Sequence, residues 1–293
     1  MLFDGKFSKI IDTILKKYYN KYIRKMAKLA KKGENMKLTV LLENTSAFQT
    51  MKTEHGLSLY IETEKHRILF DMGQTSLFAK NAERLDVDLK EVDIAVLSHG
   101  HYDHGGGLAK FLEINGKAPV LIQKDAFLPH YNQTEKYIGL DPSLSCHPRI
   151  VFTEDFYRID DGIFLFSCNR KERPYSFGSF GLTEKVGDRW IDDDFRHEQY
   201  LLIEENGKRV LLSGCSHKGI LDICRWFSPD VLIGGFHFSK MPIGELLLEA
   251  ANILNRQNTD FYTCHCTGTA QFDFMKKYMR RLRYISCGNT IEI

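Results

Sequence analysis

Five apolar runs in this sequence stop at a residue able to hold a metal ion. Ile68-Leu69-Phe70 is followed by Asp71, Val96-Leu97-Ser98 by His99, and Val210-Leu211-Leu212-Ser213-Gly214 by Cys215. Val231-Leu232-Ile233 continues through Gly234-Gly235-Phe236 to His237, and Phe261-Tyr262-Thr263-Cys264 runs into His265. Short runs rich in Val, Ile and Leu mark buried strands. Stretches with a helical look separate them, at 75–86, 105–114, 219–227 and 243–256. Further strands read at 37–42, 57–62 and 118–122, and a hairpin spans 199–213 around Asn206-Gly207. Strands alternating with helices give an α/β protein. Ligands of such proteins sit beyond the strand ends, so the pattern predicts one active edge.

The densest of these ends is His99-Gly100-His101-Tyr102-Asp103-His104-Gly105-Gly106-Gly107, with four ligand-type side chains within six residues. Imidazole together with carboxylate suits zinc, iron or manganese, with geometry deciding among them. His99 and His101, two apart on an extended segment, can point the same way. Asp103 and His104 can reach a second ion as the chain turns into a helix. The glycines let the backbone pass close to the ions.

His99-X-His101-X-Asp103-His104 resembles the signature of the metallo-β-lactamase superfamily, and the likeness runs through nearly everything after Met36. The resemblance implies a four-layer αβ/βα sandwich with a mono- or dinuclear metal site at one edge of its two sheets. It also implies that Asp71, in Phe70-Asp71-Met72-Gly73, sits behind the metal loop as an orienting group. A metal-bound histidine usually donates its other N–H to a fixed acceptor. Gly214-Cys215-Ser216-His217-Lys218-Gly219-Ile220, Gly234-Gly235-Phe236-His237 and His265-Cys266-Thr267-Gly268 are similar to the dihydropteroate synthase-like branch of that superfamily. Leu41-Leu42-Glu43-Asn44-Thr45 and Leu97-Ser98-His99-Gly100-His101 share this likeness.

By that resemblance, His265 joins Asp103 and His104 on one ion. Cys215 falls where the usual pattern has a bridging Asp, and it reads either as a thiolate ligand or as a structural, pocket-lining thiol. The usual Gly-rich third histidine motif is missing. The third ligand of the first ion is therefore His217 or His197, with His217 preferred. His237 reads as a pocket group that shares the catalytic work with Asp103. Lys218 and Thr267 are expected against the substrate. His55, His66, His130 and His147 show no such context and read as surface residues.

Composition narrows the function classes. Hydrophobic residues make up 43% and charged residues 27%, the balance of a globular protein. No apolar run approaches the ~18 residues of a membrane span. A net charge of +2 gives no polyanion signature, so nucleic acid is not an expected partner. Seven cysteines, an odd number without a leader-like apolar segment, fit a reducing cytoplasm. Residues 1–35 stand apart, with ten Lys/Arg against three Asp/Glu, a net of +7 that leaves −5 for the remainder. Their apolar stripe through Phe7, Ile10, Ile14 and Tyr18 predicts a basic amphipathic helical extension. Docking on the core or on a second copy in a homo-oligomer is the preferred reading. Contact with an anionic membrane surface is the less favoured one. Residues 125–190 are irregular and mix aromatic with basic side chains. They read as an insertion over the metal edge that sets substrate choice, or as a peripheral loop with its own small core.

The expected activity is hydrolysis of a small anionic ester or phosphoester by water activated on two divalent transition-metal ions, zinc first. Arg149, Arg170, Lys171 and Lys218 are the candidate anion contacts. The branch resemblance implies an alternative, transfer of a pterin from its diphosphate to an arylamine phosphate. A metal-binding sensor without turnover is the third reading.

Overall fold

The computed structural model describes residues 35–134 and 136–293. The helical extension expected at the start of the chain lies outside them. No helix among the described residues is long and apolar enough to cross a membrane.

Two seven-stranded sheets carry the core. The first runs β18 (Thr290–Glu292), β1 (Lys37–Leu42), β2 (Ser58–Glu62), β3 (Arg67–Phe70), β4 (Ile94–Val96), β5 (Val120–Gln123), β8 (Ile150–Thr153). The second runs β17 (Leu282–Tyr284), β16 (Asp260–Thr263), β15 (Val231–Gly234), β14 (Lys208–Ser213), β13 (Tyr200–Glu205), β10 (Ile163–Phe166), β9 (Phe156–Asp160).

The period-two alternation of strand side chains sets the layering. Leu38 and Val40 of β1 share a core with Ile203, Val210 and Leu212 of the second sheet. Leu41 joins the opposite face, where Phe78 and Phe111 arrive from the helices Leu77–Arg84 and Leu108–Ile114. On the second sheet, Leu202, Leu211 and Phe261 pack outward against Ile223 and Leu254 of the helices Ile220–Phe227 and Glu245–Asn255. Helix, sheet, sheet and helix make the four-layer sandwich that the sequence predicts.

β3 and β4 run parallel, as do β14, β15 and β16. In each sheet the parallel strands therefore finish on one side, and the residues after them line one edge. Asp71, Ser216, His237 and His265, all in the turns beyond those ends, have φ of 62°, 58°, 56° and 51°. Left-handed backbone in non-glycine residues costs on the order of 1–3 kcal/mol each and clusters at functional sites. At Gly214 a Cβ would collide with Ser98 Oγ. Glycine there lets the end of β14 press against the end of β4.

The segment 125–190 differs from its sequence reading as a single insertion. β8 closes the first sheet, and β9 and β10 extend the second. Only β6 (His130–Asn132), β7 (Lys136–Tyr137), β11 (Leu182–Val186) and β12 (Arg189–Asp192) stand apart, as a four-stranded sheet in the order β12-β11-β6-β7. β8 and β9 lie at sheet edges with most side chains only half-buried or exposed. They therefore lack the continuous apolar run that marks a central strand.

Candidate metal centre

Three buried carboxylates fix the backbone of this edge. Asp71 Oδ1 accepts the Ser98 N–H at 2.7 Å, Glu198 Oε1 the His217 N–H at 2.7 Å, and Glu43 Oε1 the His265 N–H at 2.7 Å. Glu43 also accepts from Tyr284 Oη at 2.7 Å, and Glu198 from Tyr200 Oη at 2.6 Å. Bonds to an ionised acceptor are the short, strong ones. Each holds a turn that presents a histidine.

The imidazoles are then oriented through Nδ1. His104 Nδ1 donates to Asp71 Oδ2 at 2.7 Å, and His265 Nδ1 to Asn44 Oδ1 at 2.8 Å. Ser98 Oγ donates to Asp71 Oδ2 at 2.7 Å and so accepts from His99 Nδ1 at 2.8 Å. With Nδ1 as the donor, Nε2 of all three rings is the atom left to take a metal ion or a second proton. Yet His104 Nε2 and His265 Nε2 face each other at 3.2 Å, and His99 Nε2 faces His217 Nε2 at 3.2 Å. Cys215 Sγ lies 3.2 Å from His104 Nε2, and Asp103 Oδ2 lies 3.3 Å from His265 Nε2. Two lone pairs at that separation repel unless a cation or a proton lies between them.

The electrostatics make the same demand. Burial opposes a charge on His104, but the carboxylates of Asp71 and Asp103 outweigh it and raise the ring to about 9. Asp103 is held well below the usual carboxylate range. Burial opposes its ionisation, and His104, His265 and His55 overcome it. His99, His101 and His217 are pushed well down by burial and by the imidazoles around them, His104 beside His99, His197 beside His101 and His237 beside His217. Neutral imidazole is the ligand form. Burial and the adjacent Cys266 push the Cys215 thiol up, so it stays protonated unless a cation displaces the proton.

The ligand atoms also converge. His99, His101 and His217 each offer one atom within 4.8 Å of the others, and so do His99, His104 and Cys215. His101 Nε2 and His217 Nδ1 are buried without a hydrogen-bond partner among the described residues. This donor set fits divalent transition-metal ions.

The sequence model of the metallo-beta-lactamase superfamily matches residues 52–253. The chain belongs to the metallo-β-lactamase superfamily. It is 33% identical over 249 residues to an uncharacterized protein of Methanocaldococcus jannaschii, covering 79% of this chain and 90% of that one. It is 28% identical over 291 residues to the 7,8-dihydropterin-6-methyl-4-(beta-D-ribofuranosyl)-aminobenzene-5'-phosphate synthase of the same organism, covering 89% and 98%. Among solved structures it is similar to Tm1679, a metal-dependent hydrolase of the beta-lactamase superfamily. The TM-score is 0.76 at 28% identity, covering 88% of this chain and 99% of that one.

Within this superfamily fold, most residues singled out in the sequence meet at the edge. His101, Asp103, Cys215, His217, His237 and His265 line one cavity of about 350 Å³. His99 and His104 are fully buried, with their rings 4.2 Å apart. Asp71 accepts from His104 Nδ1, the ring nitrogen opposite the one that faces His265. The His237 ring lies 4.3 Å from that of His217, with Nδ1 unpartnered among the described residues.

Other positions differ from their sequence reading. His197 has both nitrogens engaged: Nδ1 accepts the Gly100 N–H at 2.9 Å, and Nε2 donates to Asp193 Oδ2 at 3.2 Å. It braces the metal loop from behind, and His217 is the ring that faces His99. Lys218 is buried and does not line the cavity. Its Nζ donates to the carbonyls of Ser167 and Glu198 at 2.7 and 2.8 Å. Thr267 is buried as well, where its Oγ1 accepts the Phe236 N–H at 2.8 Å. Arg149 donates to the carbonyls of Leu112 and Ala118, and Arg149, Arg170 and Lys171 all lie off the cavity wall. His130, read as a surface residue, is fully buried on Asp193 at 2.8 Å. His55 is exposed but lines the cavity, with Nε2 3.3 Å from Asp103 Oδ2. Its signal in the sequence is weak, a lone histidine ahead of Gly56. Glu43 stands in the sequence as part of the Leu41-Leu42-Glu43-Asn44-Thr45 likeness, with no role attached, and Glu198 only as a polar residue bordering a strand.

Proposed function

We propose that the protein is a metal-dependent hydrolase that cleaves a small anionic ester or phosphoester at this edge. The observation that carries the reading is the facing pair His104 Nε2 and His265 Nε2, 3.2 Å apart with both Nδ1 atoms pinned as donors. His99, His101 and His217 would hold one ion, and Asp103, His104 and His265, with Cys215, the other. Imidazole with thiolate makes zinc the first choice, and the carboxylate admits iron or manganese. Such ions supply Lewis acidity and a bound water that deprotonates near neutral pH.

The chain's own groups do the rest. Asp103 remains ionised, so Oδ2 acts as an acceptor, oriented by His55 Nε2 at 3.3 Å. His237 is placed on the cavity wall to give the leaving oxygen its proton. Ile138, Leu182 and Tyr102 line the same cavity. A mostly preformed cavity with a few convergent polar groups is the usual form of a small-molecule site.

A transferase reading draws on one observation, the relative named as a synthase, matched over 98% of its length. Against it, Tyr102 is the only phenyl or indole side chain on the cavity wall among the described residues, which leaves little to stack a pterin. The test sets a panel of chromogenic esters and phosphodiesters beside pyrophosphate release from a pterin diphosphate and an arylamine phosphate. Turnover of the panel without pyrophosphate is the expected result. Pyrophosphate release alone makes the protein a transferase, and no turnover with metal bound makes it a sensor.

A further inference from the structure

The cavity wall carries two cations that neither the fold nor the metal ligands use. Lys136 comes from β7 of the small third sheet, and Lys240 from the loop after β15, three positions beyond His237. Each ammonium has one neutral acceptor. Lys136 Nζ donates to Tyr102 Oη at 3.2 Å, and Lys240 Nζ to the Phe180 carbonyl at 3.3 Å. Neither joins an ion pair among the described residues, where the paired lysines are Lys37, Lys65, Lys110, Lys117 and Lys124. Among the described residues the only acid on the wall is Asp103, which lies 3.3 Å from both His55 Nε2 and His265 Nε2. Among the described residues, therefore, no carboxylate on the wall pairs with either ammonium.

We infer that Lys136 and Lys240 form a clamp for a phosphate-type group at the end of the substrate remote from the bond that is cut. Asn132 and Ser239 line the same wall and complete the donors. An ammonium is a compact point charge with three rotatable donors and is a common phosphate binder. Four donors from two separate segments also suit the three free oxygens of a phosphate monoester better than the two of a carboxylate. The clamp rests on the hydrolase reading only for what happens at the other end of the molecule. It relocates the anion contacts from Arg149, Arg170, Lys171 and Lys218 to two lysines that sequence alone did not distinguish from solvated surface charge.

The experiment compares three 4-nitrophenyl esters on metal-loaded full-length protein: the butyrate, its phosphonate-ended analogue and the carboxylate-ended glutarate half-ester. Wild type is set beside Lys136→Met, Lys240→Met and the double variant. Lys110→Met/Lys117→Met serves as the control, since it loses the same charge at residues that do not line the cavity. A charge-assisted hydrogen bond is worth about tenfold. The phosphonate ester should therefore lose about tenfold in kcat/KM in each single variant and about a hundredfold in the double, with the butyrate within about threefold. The control pair should behave as wild type. Equal losses on butyrate and phosphonate, losses in the control pair, or wild-type preference for the glutarate half-ester would each overturn the clamp. If no ester turns over, the hydrolase reading fails, and calorimetric binding of propylphosphonate to the same proteins tests the clamp alone. Affinity weakened about tenfold or more in the double variant then supports it, and equal affinity across all variants refutes it.

Discussion

Replacing Asp71 with Asn separates the charge and lone pairs of this side chain from its shape. Asp71 accepts three bonds at 2.7 Å each, from the Ser98 N–H, from Ser98 Oγ and from His104 Nδ1. An asparagine keeps one oxygen for the Ser98 N–H but turns an amide NH2 towards His104. That NH2 cannot accept, so the ring must hold its Nδ1 as a lone pair and carry the proton on Nε2. Nε2 is the atom that faces His265 and Cys215. An orienting partner of a metal-bound histidine is worth 10–100-fold in affinity. Both the tautomer and the ring orientation depend on Asp71 here, so the upper end applies, about a hundredfold or about 2.7 kcal/mol. Competition against a chromogenic zinc chelator at neutral pH reads the affinities of the two ions separately. The ion on His104 should weaken by that factor, and the ion on His99, His101 and His217 by less, since Asp71 reaches His99 only through Ser98 Oγ. Both affinities within about threefold of wild type, or equal losses at both, would refute the orienting role.

Three further outcomes follow from the same geometry. His217→Ala should bind one ion where wild type binds two. His197→Ala should keep both and lose about 1–3 kcal/mol of stability by leaving the Gly100 N–H unsatisfied; metal counts by mass spectrometry and chemical denaturation distinguish the two, and reversed results would exchange their roles. Burial opposes ionisation of Asp193, but His197 and His130 outweigh it and hold the carboxyl below its ordinary value of 3.8. Its stabilisation is then complete above that value and is lost as pH falls through it towards the lower folded-state pKa, so wild type should lose stability more steeply below about pH 4 than Asp193→Asn; parallel curves would contradict this. Lys218→Met should lower stability by about 1–3 kcal/mol through the unpaired carbonyls of Ser167 and Glu198 while leaving KM unchanged, and a raised KM would return Lys218 to the substrate.

The metal loop and the α/β alternation were legible because their signals are local, and the four-layer sandwich followed from the family resemblance that those motifs carry. A run of Val, Ile and Leu followed by His99, His101, Asp103 and His104 declares both a buried strand and the chemistry at its end. The strands ending at Asp71, Cys215 and His265 read the same way. What escaped depends on which side chain the folded chain sets opposite which. His197 and His217 are both histidines flanking one hairpin, and only the folded chain engages both nitrogens of His197, with the Gly100 N–H and Asp193 Oδ2. Glu43 reaches His265 across 222 positions and Glu198 reaches His217 across 19, with no spacing rule to announce either. Lys218 follows a predicted ligand, yet the turn buries its ammonium under two carbonyls. The edge strands β8 and β9 were missed because half-exposed strands do not show a continuous apolar run.

On the proposed reading this edge holds metal through imidazole Nε2 atoms. Anomalous diffraction at the zinc edge from protein grown in metal-replete medium, with elemental analysis of the same sample, tests it most directly. The account predicts two ions per chain, one of them bonded at about 2.0–2.1 Å to both His104 Nε2 and His265 Nε2. Metal-replete protein with no ion between those two rings, or with its metal bound elsewhere, would contradict it.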